Sequence, residues 1–137
     1  MPNVTGVLET ALYADDLARS VEFYQRVFGF PTLRGDSRFH AFAVQGPSVL
    51  LIFKKGETLK PVEFEGGVIP PHDAAGEIHF AFGITADELS KWESHLSALK
   101  IAIESRVKWP LGGTSIYFRD PERHLVELVT PGVWATY

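Results

Sequence analysis

No cysteine occurs among the 137 residues of this chain. That absence removes disulfides, thiolate metal ligands and cysteine nucleophiles together, so any metal must be held by His, Asp or Glu. No apolar run approaches the roughly 20 residues of a membrane span, and the opening MPNVTG carries neither the charged nor the apolar region of a signal peptide. Basic residues are in short supply: 13 Lys and Arg stand against 17 Asp and Glu, for a formal charge of −4. They form no stripe, which argues against a nucleic-acid partner. No Gly- and Ser-rich linker or low-complexity tract divides the chain. These absences fit a cytoplasmic protein, with residues 1–137 expected to form a single domain and neither nucleic acid nor membrane expected as a partner; the partner expected from the candidate site residues is a small-molecule substrate.

What is present is a repeated pattern. Period-two alternation runs through residues 6–14, with the strand read from Val7 to Tyr13. The period then changes. Asp15 or Asp16 can cap a helix in which Leu17, Val21, Tyr24 and Phe28 fall at helical spacing, and Gly29 supplies the stop. Three extended stretches follow, TLRG, RFHAFAVQG and SVLLIFKKG, the last two joined at Gly46-Pro47. The second half repeats this order. GEIHFAFGI, residues 76–84, alternates strictly; Thr85 with Glu88 predicts a capping box, and Leu89, Trp92, Leu96 and Leu99 make one helical stripe. Strands are then expected at about 102–107, 113–119 and 123–129, the last pair turning at Asp120-Pro121. The expected fold class is α+β, with βαβββ written twice: module one over about 5–56, a connecting loop over about 57–75, and module two over about 76–132.

Ionisable residues stand where burial is expected. Aligning Gly6 with Gly76 sets Glu9 opposite His79, the same position in the first strand of each half, and Glu127 lies inside LVELV. A lone His in a strand is commonly a satisfied core or edge residue, and a lone Glu commonly faces solvent. The faces argue otherwise. Glu9 shares its side with Val7, Ala11 and Tyr13, and His79 shares its side with Ala81 and Gly83, while the large apolar side chains Ile78, Phe80, Phe82 and Ile84 take the other side. Small residues beside ionisable ones leave room for a cavity. Two carboxylates in one site repel unless a cation lies between them. Two Glu and a neutral His carry −2, which matches a divalent metal and leaves positions open for water or substrate.

These residues resemble a known family. LYADDLARSVEFYQRVFGF in the first half, GEIHFAF, and TSIYFRDPERHLVEL near the end together resemble the vicinal oxygen chelate superfamily. It includes glyoxalase I, fosfomycin-resistance enzymes, extradiol dioxygenases, methylmalonyl-CoA epimerase and bleomycin-resistance proteins. The resemblance implies two βαβββ modules whose curved mixed sheet encloses a metal-binding cavity. It also implies ligands from the first and last strands of each module. Matched position by position, these are Glu9, His79 and Glu127, holding one divalent ion, Mn, Fe, Ni or Zn. Leu50 or Leu51 stands where glyoxalase I would have a fourth ligand. Three ligands are the fosfomycin-resistance and extradiol-dioxygenase pattern, though those families use two His and one Glu, and Glu9 departs from it toward a harder, more anionic site.

The implied chemistry is Lewis-acid stabilisation of an oxyanion on a small oxygen-rich substrate. It would be carried out by a glyoxalase-like lyase or isomerase, or by an epoxide-opening transferase. Tyr117 and Arg119 alternate with Ser115 on one face of GTSIYFR and are candidate catalytic groups, although an Arg beside an Asp-Pro turn is commonly an ion-pair residue. His72, at the end of a segment of over twenty residues with no clear periodicity, is a third candidate; a surface role is its plainer alternative. Tyr13, Trp109 and Ser115 are candidate substrate contacts. A homodimer is expected from the resemblance. Two other classes remain: a metal-free drug-sequestering protein of bleomycin-resistance type, and a structural domain whose ionisable trio is a buried hydrogen-bond network. An extradiol-type dioxygenase is the other enzymatic alternative.

Overall fold

The computed structural model describes residues 1–137 and divides into two compact units, Met1–Gly76 and Glu77–Tyr137. Each is a βαβββ module, as the repeat predicts.

In the first unit, β1 (Glu9–Ala14) leads into α1 (Leu17–Phe28), followed by β2 (Thr32–Gly35), β3 (Phe39–Ala43) and β4 (Val49–Lys54). The helix starts where Asp16 accepts the Arg19 N–H at 3.0 Å and stops at Gly29, whose φ of 65° and N–H bond to the Gln25 carbonyl form a left-handed cap. The sheet runs β1-β4-β3-β2, with β1 parallel to β4 and the remaining pairs antiparallel. Helix α1 packs on β3 and β4. Phe23, Tyr24, Val27, Leu12, Phe42, Leu50 and Ile52 make the buried core. The opposite sheet face carries Glu9, Ala11 and Tyr13, paired with Val49, Leu51 and Phe53.

The predicted first strand begins two residues too early. Val7 and Leu8 are exposed, and pairing with β4 begins at Glu9. The connecting segment also differs from expectation, because it holds a hairpin, β5 (Val62–Phe64) with β6 (Gly67–Ile69). Its three-residue strands are too short for a periodicity to show.

The second unit holds β7 (His79–Gly83), a 3₁₀ turn (Ala86–Glu88), α2 (Leu89–Ala98), β8 (Ser105–Lys108), β9 (Thr114–Arg119) and β10 (Leu125–Val129). Its sheet order, β7-β10-β9-β8, repeats that of the first unit. Ile116, Phe118, Val126, Leu128 and Leu96 are fully buried, each a gain of about 1.5–3 kcal/mol over exposure. The expected capping box is not formed. Thr85 precedes the 3₁₀ turn without a side-chain cap, and Glu88 pairs with Lys91. The tighter turn leaves the box geometry no place. Strand β8 begins three residues later than predicted, since pairing with β9 starts only at Ser105. The Asp120-Pro121 turn is as expected, with Asp120 Oδ1 accepting the N–H groups of Glu122 and His124. No helix is long and apolar enough to cross a membrane.

Candidate functional site

Register assembles the polar cluster of the second unit. In the parallel pair, His79 aligns with Leu125 and Ala81 with Glu127, so His79 and Glu127 are diagonal neighbours on one face. In the antiparallel pair, Tyr117 stands directly opposite Glu127, and Ser115 opposite Val129. Four chemistry-bearing side chains from three strands thus meet on the face turned away from Phe118 and Val126.

The hydrogen-bond directions are set by the groups themselves. The Leu125 carbonyl can only accept, so His79 Nδ1, 3.1 Å away, carries a proton. His79 Nε2 then faces Glu127 Oε2 at 3.2 Å. Glu127 is 7% exposed, whereas the His79 side chain is half open to solvent. The other carboxylate oxygen, Oε1, accepts from Ser115 Oγ and, at 3.0 Å, from the Tyr117 hydroxyl. Ser115 in turn accepts the Trp109 indole N–H at 2.7 Å. Burial pushes the Tyr117 phenol above its ordinary range; Ser115 opposes this in part, and the hydrogen bond to Glu127 with its negative charge reinforces it. Tyr117 is therefore a hydroxyl donor at neutral pH.

The donor set fits the divalent ion that the resemblance implies. A histidine whose Nδ1–H is tied to a backbone carbonyl offers Nε2 outward, the arrangement typical of metal-bound imidazole. Here Nε2 meets a carboxylate oxygen that has no other hydrogen-bond partner. Two facing acceptors need a cation between them, a proton or a metal ion. Within neither unit do three His, Asp or Glu side chains gather as a metal site. Glu9 belongs to the first unit, exposed at the first position of β1. Leu51, rather than Leu50, occupies the register position matching Glu127, because Leu51 pairs with Ala11 as Glu127 pairs with Ala81.

The other predicted residues are placed as follows. Arg119 is committed away from the cluster: Nε and Nη2 donate to Glu104, and Nη1 donates to Glu77 and to the Arg123 carbonyl. These contacts tie strand to turn, as is common for an Arg at such a turn. Tyr13 and His72 come together in the first unit, with the Tyr13 hydroxyl 2.6 Å from His72 Nδ1 and both rings packed on Phe53. Burial, then the charge of Asp73, raises the Tyr13 phenol above its ordinary range. Trp109 gives its N–H to Ser115, a relationship that residue type alone does not announce. An open cavity of about 590 Å³ beside the start of α1, lined by Asp15, Asp16, Asp36, His40 and Lys54, contains none of the predicted site residues.

Duplicated βαβββ modules with a His–Glu pair between first and last strands define a glyoxalase-like protein. The chain belongs to the Glyoxalase/Bleomycin resistance protein/Dioxygenase superfamily, whose model matches residues 6–128. Metallothiol transferase FosB of Bacillus licheniformis is 29% identical over 132 residues, 96% of this chain and 79% of that protein. Lactoylglutathione lyase of Agrobacterium tumefaciens has a solved structure that matches with a TM-score of 0.88 at 33% identity, covering 98% of this chain and 99% of that one. The fold also matches a variant of the fosfomycin resistance protein FosX of Listeria monocytogenes, solved with Mn(II) and 1S,2S-dihydroxypropylphosphonic acid. In that case the TM-score is 0.66 at 23% identity, with 92% of this chain and 90% of that one covered.

Proposed function

We propose that this protein is a divalent-metal-dependent enzyme acting on a small oxygen-rich substrate, with His79, Glu127 and Glu9 as the ligands. One observation carries the reading: His79 Nε2 and Glu127 Oε2 face each other at 3.2 Å, while Nδ1 and Oε1 are committed elsewhere. When bound, such an ion supplies Lewis-acid polarisation of a substrate oxygen. The chain's own residues do the rest. The Leu125 carbonyl fixes the His79 tautomer, and Ser115 and Tyr117 orient the buried carboxylate. Tyr117, with its proton retained, is a donor and not a base.

Two reactions fit this class, a glyoxalase-type lyase or isomerase reaction and a transfer that opens an epoxide. FosB and lactoylglutathione lyase among the relatives support the pair. Leu51 at the position matching Glu127 leaves three protein ligands, which supports the epoxide-opening side. A homodimer is the assembly this reading expects.

The test is elemental analysis of the purified protein and of a Glu9→Ala, His79→Ala variant. Hemithioacetals, dicarbonyls and epoxides are then screened with added Mn²⁺, Ni²⁺, Zn²⁺ or Fe²⁺. About one equivalent of a divalent metal, lost in the variant, is the expected result. No metal as purified, and no thermal shift with any of the four ions, would sink the reading in favour of a sequestering protein.

A further inference from the structure

Trp109 is tied to the candidate site by a chain of hydrogen bonds whose direction admits one solution. An indole N–H only donates, so Ser115 Oγ is the acceptor at 2.7 Å. Ser115 has a single proton, and it goes to Glu127 Oε1. The Tyr117 hydroxyl reaches the same oxygen. Two donors thus engage one oxygen of a buried carboxylate, with Trp109 backing one of them, and the other oxygen, Oε2, is left turned to His79 Nε2. Without the indole, the Ser115 hydroxyl is free to rotate and to accept instead of donate, and the two carboxylate oxygens become more nearly equivalent.

The anchor is itself rigidly held. The Trp109 backbone N–H donates to the Gly113 carbonyl at 2.8 Å, and the Gly112 backbone N–H donates to the Trp109 carbonyl at 3.0 Å, closing a tight turn. Gly112 has a φ of 97°, a conformation that favours glycine. Gly113 is pressed so closely on Gly132 that a Cβ there would come within 2.7 Å of the Gly132 carbonyl carbon. The turn therefore has little freedom to move the indole. Ser115 is 0% exposed, so water does not compete for its hydroxyl.

We propose that Trp109 is a positioning residue: acting through Ser115, it locks Glu127 so that Oε2 alone is presented toward His79 as a one-oxygen ligand. This deepens the metal-centre reading and rests on it. Loss of an outer hydrogen-bond partner of a metal ligand typically costs about 10–100-fold in metal affinity, and that is the size of effect expected here.

The experiment uses the full chain labelled with ¹⁵N-tryptophan and Mn²⁺ alone as the probe. The three indole cross-peaks are assigned by the loss of one in Trp109→Phe, and the Mn²⁺ dissociation constant is measured by calorimetry for wild type, Trp109→Phe and Ser115→Ala. Ser115→Ala interrupts the same chain by removing one oxygen, so the test stands if Trp109→Phe does not fold. Support is a Trp109 cross-peak that moves in Ser115→Ala and broadens with Mn²⁺ ahead of Trp92 and Trp134. It also requires Mn²⁺ binding weakened at least about tenfold in both variants. Unchanged Mn²⁺ affinity in both variants overturns the positioning role and leaves the metal centre standing. A Trp109 cross-peak insensitive to Ser115→Ala overturns the hydrogen-bond chain. A wild-type protein that takes up no Mn²⁺ overturns this proposal as stated for that ion, and one that also takes up no Ni²⁺, Zn²⁺ or Fe²⁺ overturns the reading it rests on.

Discussion

Leu51 and Glu127 hold equivalent places in their units: each sits on the last strand of its module, paired in parallel with an alanine two residues beyond Glu9 or His79. One is a half-buried aliphatic side chain and the other a buried carboxylate. The antiparallel neighbours differ in the same sense, since Ala41 stands opposite Leu51 where Tyr117 stands opposite Glu127. The polar apparatus around Glu127 has therefore no counterpart in the first unit, which retains only Glu9.

Leu51→Glu recreates beside Glu9 the diagonal that Glu127 makes with His79. On the metal-centre reading, the variant binds Mn²⁺ more tightly than wild type, while Glu127→Leu abolishes binding. Calorimetric titration checks both. Equal affinity for wild type and Leu51→Glu would show that the position takes no part in the site.

Tyr117 predicts an alkaline effect. Its folded pKa lies above the ordinary value of about 10, chiefly through burial. Above that pH the unfolded chain loses this proton first, so the stabilisation is complete below about pH 10 and is lost as pH rises through the folded value. Urea melts from about pH 8 to 11 are expected to show a falling alkaline limb that is shallower in Tyr117→Phe. Tyr13 is also raised and contributes to the same limb, so Tyr13→Phe, Tyr117→Phe flattens it further.

Arg119 predicts an ion-pair contribution to stability. Its guanidinium is bidentate on Glu104 and reaches Glu77, and neighbouring Arg123 also pairs with Glu77. Both carboxylates are held below their ordinary range, first by hydrogen bonds, from Arg119 to Glu104 and from Arg123 to Glu77. The stabilisation they bring is present above the ordinary carboxylate pKa and lost as pH falls through the folded values. Arg119→Met is expected to lower Tm at neutral pH, with a smaller difference at high salt and at low pH, and to leave Mn²⁺ affinity unchanged. A Tm difference that salt does not reduce would contradict the ion-pair account.

Tyr13 and His72 tether the connecting segment. Thr58 adds a clamp, donating its hydroxyl to the His72 carbonyl while accepting the His72 N–H at 3.0 Å on its own carbonyl. The loop from 59 to 71 is thereby closed at its base, with Phe64 and Val68 exposed beyond it. Tyr13→Phe keeps the ring packing and removes one hydrogen bond, an expected loss of about 0.5–1.5 kcal/mol. Hydrogen exchange across residues 59–71 should quicken in this variant. Unchanged exchange there would mean that the Thr58 clamp alone holds the segment.

Much of this fold is legible in the sequence because its determinants are local. Asp16 and Gly29 bound α1 within the reach of one turn each, and the strands of the core alternate visibly. The repeat places Glu9 and His79 correctly as equivalents. Where local signals are weak, the reading errs: Val7 and Leu8 alternate with their neighbours but stay exposed, the paired register with β4 starting at Glu9, and the short strands β5 and β6 carry no period. Thr85 and Glu88 have the spacing of a capping box, yet Thr85 stands before a 3₁₀ turn without capping it and Glu88 pairs with Lys91.

The sequence by itself determined the two modules, the limits of α1, the inward carboxylate in LVELV and the metal-compatible residue types. Tertiary structure decided what those residues touch. Register between β7 and β10, forty-six residues apart at the His79–Leu125 contact, sets Glu127 beside His79. Register between β9 and β10 sets Tyr117 against the same carboxylate, brings Ser115 into reach of it, and turns Arg119 toward Glu104. The physical reason is that periodicity and caps are properties of neighbouring residues, whereas strand register is chosen by packing across the whole sheet, and a slip of one residue would turn every one of these side chains to the other face.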